Sequence, residues 1–140
     1  MSGLYMEVGQ FLCLMYDRGP SEWFCRRVLD CLRTGQYYTR RDESGKITTF
    51  VGWWLIDRDK LAEIINFTHV PGDITSGNMV WVMDAASTDR IGINEFKKAL
   101  RILYPRTGTV KGVAWLRNEL RPVISLRQQG AIWAAAAITR

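Results

Sequence analysis

Asp84 closes the one stretch of this chain that looks built for chemistry, Ser76-Gly77-Asn78-Met79-Val80-Trp81-Val82-Met83-Asp84. A carboxylate delivered to the exit of a buried strand stands where many α/β sites lie and can act as a general base, which contributes about 10² to 10⁴ in rate. The same residue can instead cap or turn the chain after a core strand, an ordinary use of Asp. The residues before it set its position. Thr75 to Asn78 form a polar turn in which Thr75 and Ser76 fix the reversal and Asn78 caps it. Val80, Trp81, Val82 and Met83 favour an extended, largely buried strand that carries Asp84 to its exit.

The flanking elements follow from periodicity and punctuation. Leu4 to Tyr16 reads as a helix ended by Asp17-Arg18-Gly19-Pro20, and a second helix runs from the N-cap Ser21 to Thr34. Phe24, Val28, Cys31 and Leu32 give that helix an apolar stripe, and Gly35 is placed to stop it. Gln36 to Arg41 and Ile47 to Ile56 read as a hairpin around Asp42-Glu43-Ser44-Gly45-Lys46. Trp53 and Trp54 point to opposite faces of its second strand, which predicts one buried ring and one covering a groove or partner. A short helix over Arg58 to Phe67 and the Val70-Pro71-Gly72-Asp73 turn lead to the Met79 to Asp84 strand. An amphipathic helix follows, with Ile93, Phe96, Leu100, Leu103 and Tyr104 on one face and Pro105 at its end. Thr109 to Leu116 and Val123 to Leu126 read as two last strands. The sum is a small α/β domain, a mixed or antiparallel sheet flanked by helices.

Ser76, Gly77, Asn78, Trp81 and Asp84 together meet the pattern Ser-Gly-(Asp or Asn), two residues, Trp, two residues, Asp. In this the segment resembles the toxin-activating lysine acyltransferases, which attach fatty acyl groups to lysines of hemolysin-type toxins. The likeness extends over roughly residues 11 to 105: the helix Ser21 to Thr34, Gln36-Tyr37, the charged turn Arg41 to Lys46, Trp53, and Tyr104-Pro105 after the later helix. It implies an N-acetyltransferase-like fold, acyl carrier protein as the donor of the acyl thioester, a lysine-bearing protein as acceptor, and no bound cofactor or metal. Asp84 would orient or accept the lysine proton. The family's histidine position falls at Tyr16 or Asp17, neither of them a histidine, and its Ala-Pro-Phe-Gly stretch is replaced by Ala86-Ser87-Thr88-Asp89 and Arg90-Ile91-Gly92. Asp17 or His69, the only histidine, would have to substitute, with Tyr16 limited to hydrogen bonding.

An ordinary coenzyme A-dependent acetyltransferase is disfavoured. Such enzymes hold pyrophosphate on backbone N–H groups of a Gly-rich turn before a helix. Here that turn is Ala85 to Gly92, with one glycine and with Asp89, whose charge repels phosphate.

Nineteen basic and fourteen acidic residues give a net charge of +5, which favours acidic partners. Arg26, Arg27, Arg33, Arg40 and Arg41 fall near the second helix and the first strand, and Lys97, Lys98 and Arg101 on the later helix. A solvated face accounts for such charges. The resemblance makes Arg26, Arg27, Lys97, Lys98 and Arg101 a dock for acyl carrier protein. Nucleic acid is a further reading, with Arg40 and Arg41 beside Tyr37 and Tyr38, although no recognised binding motif accompanies them.

At 140 residues, 47% hydrophobic and with six tryptophans, the chain suits one folded domain spanning 1–140. Cys13, Cys25 and Cys31 imply neither a disulfide framework nor a zinc site, and read as reduced cytosolic thiols. No secretory signal is legible at the start, and the longest apolar run, Ala131 to Ile138 in an Ala-rich tail at 130–140, is far short of the roughly 20 residues a membrane span needs. That tail is expected to pack on the domain or a neighbouring subunit. Two classes of function therefore stand together. One is a non-catalytic, acyltransferase-like component of an assembly, such as an internal phage virion protein in the host cytoplasm or the virion; the other is the lysine acyltransferase itself.

Overall fold

The structure, a computed structural model, describes residues 2–17, 19, 22–60 and 72–115. It is a mixed α/β fold: α1 (Ser2–Tyr16), α2 (Glu22–Thr34), β1 (Tyr37–Arg41), β2 (Ile47–Ile56), a 3₁₀ turn (Arg58–Lys60), β3 (Met79–Ser87), α3 (Arg90–Leu103) and β4 (Gly112–Trp115). The strands form one sheet in the order β1-β2-β3-β4. β1 and β2 are antiparallel across the expected five-residue turn, and β3 and β4 are parallel, joined through α3. The described residues divide into two compact units, one within 2–53 and 84–103, the other within 54–83 and 104–115.

In the first unit α1 and α2 pack together over the sheet. Val8 and Leu12 of α1, Phe24, Val28 and Leu32 of α2, and Ile47, Phe50 and Ala86 from the strands form one buried cluster. The apolar stripe expected on α2 is buried at all four positions. Gly35 ends the helix at φ 73°, where Gln36 N–H bonds the Cys31 carbonyl at 3.0 Å and Gly35 N–H the Leu32 carbonyl at 3.3 Å. This is the double bond of a Schellman cap, which needs the left-handed conformation glycine adopts freely.

The opposite face of the same strands meets α3. Trp53 lies 5.9 Å from Phe96, and a Cβ at Gly92 would fall 1.8 Å from the Thr49 hydroxyl. Trp53 and Trp54 are consequently both buried, which corrects the expectation that one would remain as a cover; β2 is an inner strand and is buried along almost its whole length. α3 starts at the cap Asp89, whose Oδ1 accepts Gly92 N–H at 3.0 Å. It buries Gly92, Phe96 and Leu100, whereas Leu103 in the last turn is more than half exposed, unlike its expected place on the inner face.

In the second unit the polar turn is a clamp built around β3. Asp73 accepts hydrogen bonds from Thr75 N–H, the Thr75 hydroxyl and the Ser76 hydroxyl. Asp57 Oδ1 accepts Asn78 N–H at 3.0 Å while Asn78 Oδ1 accepts Arg58 N–H at 3.1 Å. Leu55 N–H bonds the Ile74 carbonyl at 2.8 Å, and Lys111 N–H bonds the Asn78 carbonyl at 2.7 Å. Of the expected helix from Arg58, the 3₁₀ turn is seen. Its remainder at 61–67, the last strand at 123–126 and the Ala-rich tail lie outside the described residues.

Candidate functional site

Asp84 lies in β3 near its end, and its side chain is 1% exposed. Arg27 reaches it from α2. Its Nε donates to Oδ2 at 2.9 Å and its Nη2 to Oδ1 at 3.0 Å, the two-pronged geometry that guanidinium and carboxylate favour. The Tyr16 hydroxyl, from the last residue of α1, donates to Oδ1 at 3.0 Å and accepts Ala85 N–H at 3.2 Å. Phe24 closes the cluster, its ring edge-on to Tyr16 and under the Arg27 guanidinium, 5.6 Å from ring centre to Cζ.

The electrostatics follow from this enclosure. Burial opposes the Arg27 charge, but the neighbouring Asp84 carboxylate and its hydrogen bonds outweigh it and raise the guanidinium above its ordinary value. Burial, and after it the charge of Asp84, holds the Tyr16 hydroxyl well above the usual tyrosine range, so it stays a donor at neutral pH. Burial likewise pushes the Cys31 thiol well up, reinforced by Asp84 and Asp30, which leaves it a poor nucleophile.

Of the residues singled out by sequence, the structure brings Asp84 to Tyr16. Asp17 instead takes a left-handed conformation, φ 56°, at the exposed end of α1, its N–H bonding the Leu14 carbonyl at 3.3 Å. His69 lies outside the described residues. Trp81 is fully buried, and its indole N–H finds no acceptor among the described residues. Gly77 runs so close to β2 that an added Cβ would lie 2.3 to 2.5 Å from the Ile56 backbone. The motif glycine is thus a site of close backbone approach.

The candidate docking cations separate into different environments. Arg27, expected on a surface, is buried with its side chain 6% exposed; the correction has a plain cause, since a carboxylate and a ring occupy its donor plane and its face. Arg26 and Arg33 both pair with the buried Asp30 carboxylate, at 2.9 and 2.6 Å. Lys98 approaches Glu95 at 3.5 Å. Arg101 is exposed on α3, and Lys97 is half-buried on the flank of the helix. The residues read as a stacking platform are engaged too: Tyr37 stacks on Phe50, Tyr38 packs on Phe96, Arg40 lies 3.7 Å from Asp89, and Arg41 pairs with Glu7.

Arg27 as the partner of Asp84 is what sequence reasoning missed, and a signal existed. Residues 24, 27, 28 and 31 share one helical face, so Arg27 sits within the apolar stripe, and a cation there implies a buried counter-charge. Asp89 is also explained locally: it occupies, as N-cap, the amide that an anion at the start of α3 would use. Among the described residues no cluster of His, Cys, Asp or Glu could hold a metal ion, and no helix is long and apolar enough to cross a membrane. Cys13, Cys25 and Cys31 are free thiols.

No family model, no curated protein and no solved structure matches the chain.

Proposed function

We propose that this protein is a non-catalytic, acyltransferase-like component of a protein assembly, of the kind found inside a phage virion. The observation that carries this reading is the closure of Asp84. A general base must turn a lone pair toward its substrate. Both Asp84 oxygens accept from Arg27, Oδ1 accepts from Tyr16 as well, and the side chain is 99% covered, by its 1% exposure. A lysine amine could reach this carboxylate only by opening the buried cluster around it and bringing a further polar group beside the Arg27–Asp84 pair, a costly step in the interior.

The acyltransferase likeness is supported by one contact. Tyr16, one of the two positions, 16 and 17, at which the family's pattern would place a histidine, hydrogen-bonds Asp84 across 68 residues of sequence. A tyrosine whose hydroxyl is held protonated can fix that carboxylate but cannot shuttle its proton at neutral pH. The same spatial pair thus supports an inherited framework with its chemistry lost.

The test is transfer from acyl carrier protein bearing a radiolabelled fatty acyl thioester, with a lysine-rich acceptor extract. The expected outcome is that label stays on the carrier, without transfer or thioester cleavage above the protein-free rate. Label moved to acceptor lysines by the native chain, and lost with Asp84→Asn, would replace this reading with a lysine acyltransferase that works without the family's histidine.

A further inference from the structure

The outer face of α3 carries an apolar and a basic line of side chains. Phe96 and Leu100 point inward, and Gly92 packs on Thr49 and Ser87. At about 100° per residue, Ile91, Lys98 and Ile102 fall within an arc of about 40° on the opposite side, a ridge that also takes in Glu95. Ile91 is 53% exposed and Ile102 83%. They stand about 16 Å apart along the axis, three helical turns, with the Lys98–Glu95 pair between them.

Beside this ridge, about 100° around the helix, runs a second line of Arg90, Lys97 and Arg101. None of these three meets a carboxylate among the described residues. Burial, and after it the charge of Arg101 one turn away, lowers the Lys97 pKa. Lone exposed isoleucines are ordinary on protein surfaces. Two in line, flanked along their length by cations that meet no carboxylate among the described residues, make a surface with both an apolar and an electrostatic complement.

We infer that the outer face of α3 docks an acidic, amphipathic helix of a partner protein. The Ile91 and Ile102 side chains would seat in its apolar stripe, and Arg90, Lys97 and Arg101 would face its carboxylates. Apolar anchors give such contacts most of their affinity, and the charged rim gives register and association rate. The vesicle arm of the test separates this from binding to an anionic bilayer. This inference gives a partner chemistry to the assembly role proposed above and rests on that role.

A fluorescent 16-residue helical peptide, with leucine along one face and glutamate elsewhere, tests it by anisotropy against the full chain. Saturable binding that weakens with salt is expected, and it should fall at least tenfold in Lys97→Glu/Arg101→Glu and in Ile102→Ser, with circular dichroism unchanged. The inference is overturned by absence of binding, by equal binding of the variants, by equal binding of a scrambled peptide of the same composition, or by preference for phosphatidylserine vesicles over the peptide. Acyl transfer by the native chain would remove the assembly role while leaving the peptide data to judge this surface separately.

Discussion

Arg27 grips Asp84 through both carboxylate oxygens, at 2.9 and 3.0 Å, and so ties α2 to β3 across 57 residues of sequence. The pair is almost wholly enclosed. A buried ion pair is not in itself a large source of stability, because desolvating two charges offsets most of their attraction. What it enforces is matching, since neither charge is tolerable without the other. The contact therefore fixes where α2 sits over the exit of β3, and it does so with the carboxylate that the sequence offers for chemistry.

The consequence is an asymmetry between single and double substitutions. Arg27→Met leaves Asp84 buried without its cation and is expected to destabilise by about 3–5 kcal/mol, while Arg27→Met/Asp84→Leu should recover most of that loss. Urea unfolding of the singles and the double decides it. A single-site cost below about 1 kcal/mol would mean the pair opens to water, contrary to its burial.

Tyr16 gives the cluster a pH signature on the alkaline side. Its hydroxyl lies above its ordinary 10.0 when folded, so the folded chain keeps the proton longer than the unfolded chain. Its stabilising contribution is complete below pH 10 and is lost as pH rises from there through the folded value. Stability should fall by about 1.4 kcal/mol per pH unit for each such proton. Cys31 adds a loss of the same sign beginning at its ordinary 9.0. Tyr16→Phe should flatten the fall above pH 10 in denaturation measured from pH 8 to 11; an unchanged slope would show that Tyr16 ionises freely in the folded state.

Asp89 is expected to act as a helix cap, with no catalytic part. Asp89→Ala should cost about 1 kcal/mol by loss of its bond to Gly92 N–H, and Asp89→Asn should restore most of it, because an amide oxygen caps nearly as well. Thermal unfolding of the two variants distinguishes a cap from a charge effect through the 3.7 Å neighbour Arg40, for which both would lose equally.

Much of the framework is legible because each element carries its own local signal. Phe24, Val28, Cys31 and Leu32 mark the buried face of α2, Gly35 marks its end, and the polar turn Asp42 to Lys46 marks the hairpin. The harder features depend on partners far away in the chain. Period-two alternation places Trp53 and Trp54 on opposite faces, but only α3 packed on the strand with Phe96 shows that the Trp53 face is also covered. Net charge places Arg27 with the surface cations, yet its position in the apolar stripe of α2 outweighs its residue type. Asp84 shows the same limit from the other side: its strand is legible, and the guanidinium that closes it comes from another element. Spacing identifies a candidate base, whereas access to it is a property of the tertiary structure.

Gly77 tests whether the motif serves architecture. Its Cα passes so near the Ile56 backbone that a methyl group would sit 2.3 Å from the Ile56 carbonyl carbon, and backbone atoms cannot swing aside as a side-chain tip can. Gly77 N–H also bonds the Leu55 carbonyl at 3.3 Å, so a shift that relieves the clash loosens that link between the turn and β2. Gly77→Ala is expected to cost at least the upper part of the roughly 1–3 kcal/mol range for overpacking. Ser76→Ala one residue earlier removes an exposed hydroxyl from Asp73 and should cost about 1 kcal/mol or less. Denaturant midpoints for the two variants give the comparison. A tolerated Gly77→Ala would mean that the turn can leave β2 without loss, and the Ser-Gly-Asn sequence would then need a reason other than the close approach of two backbones.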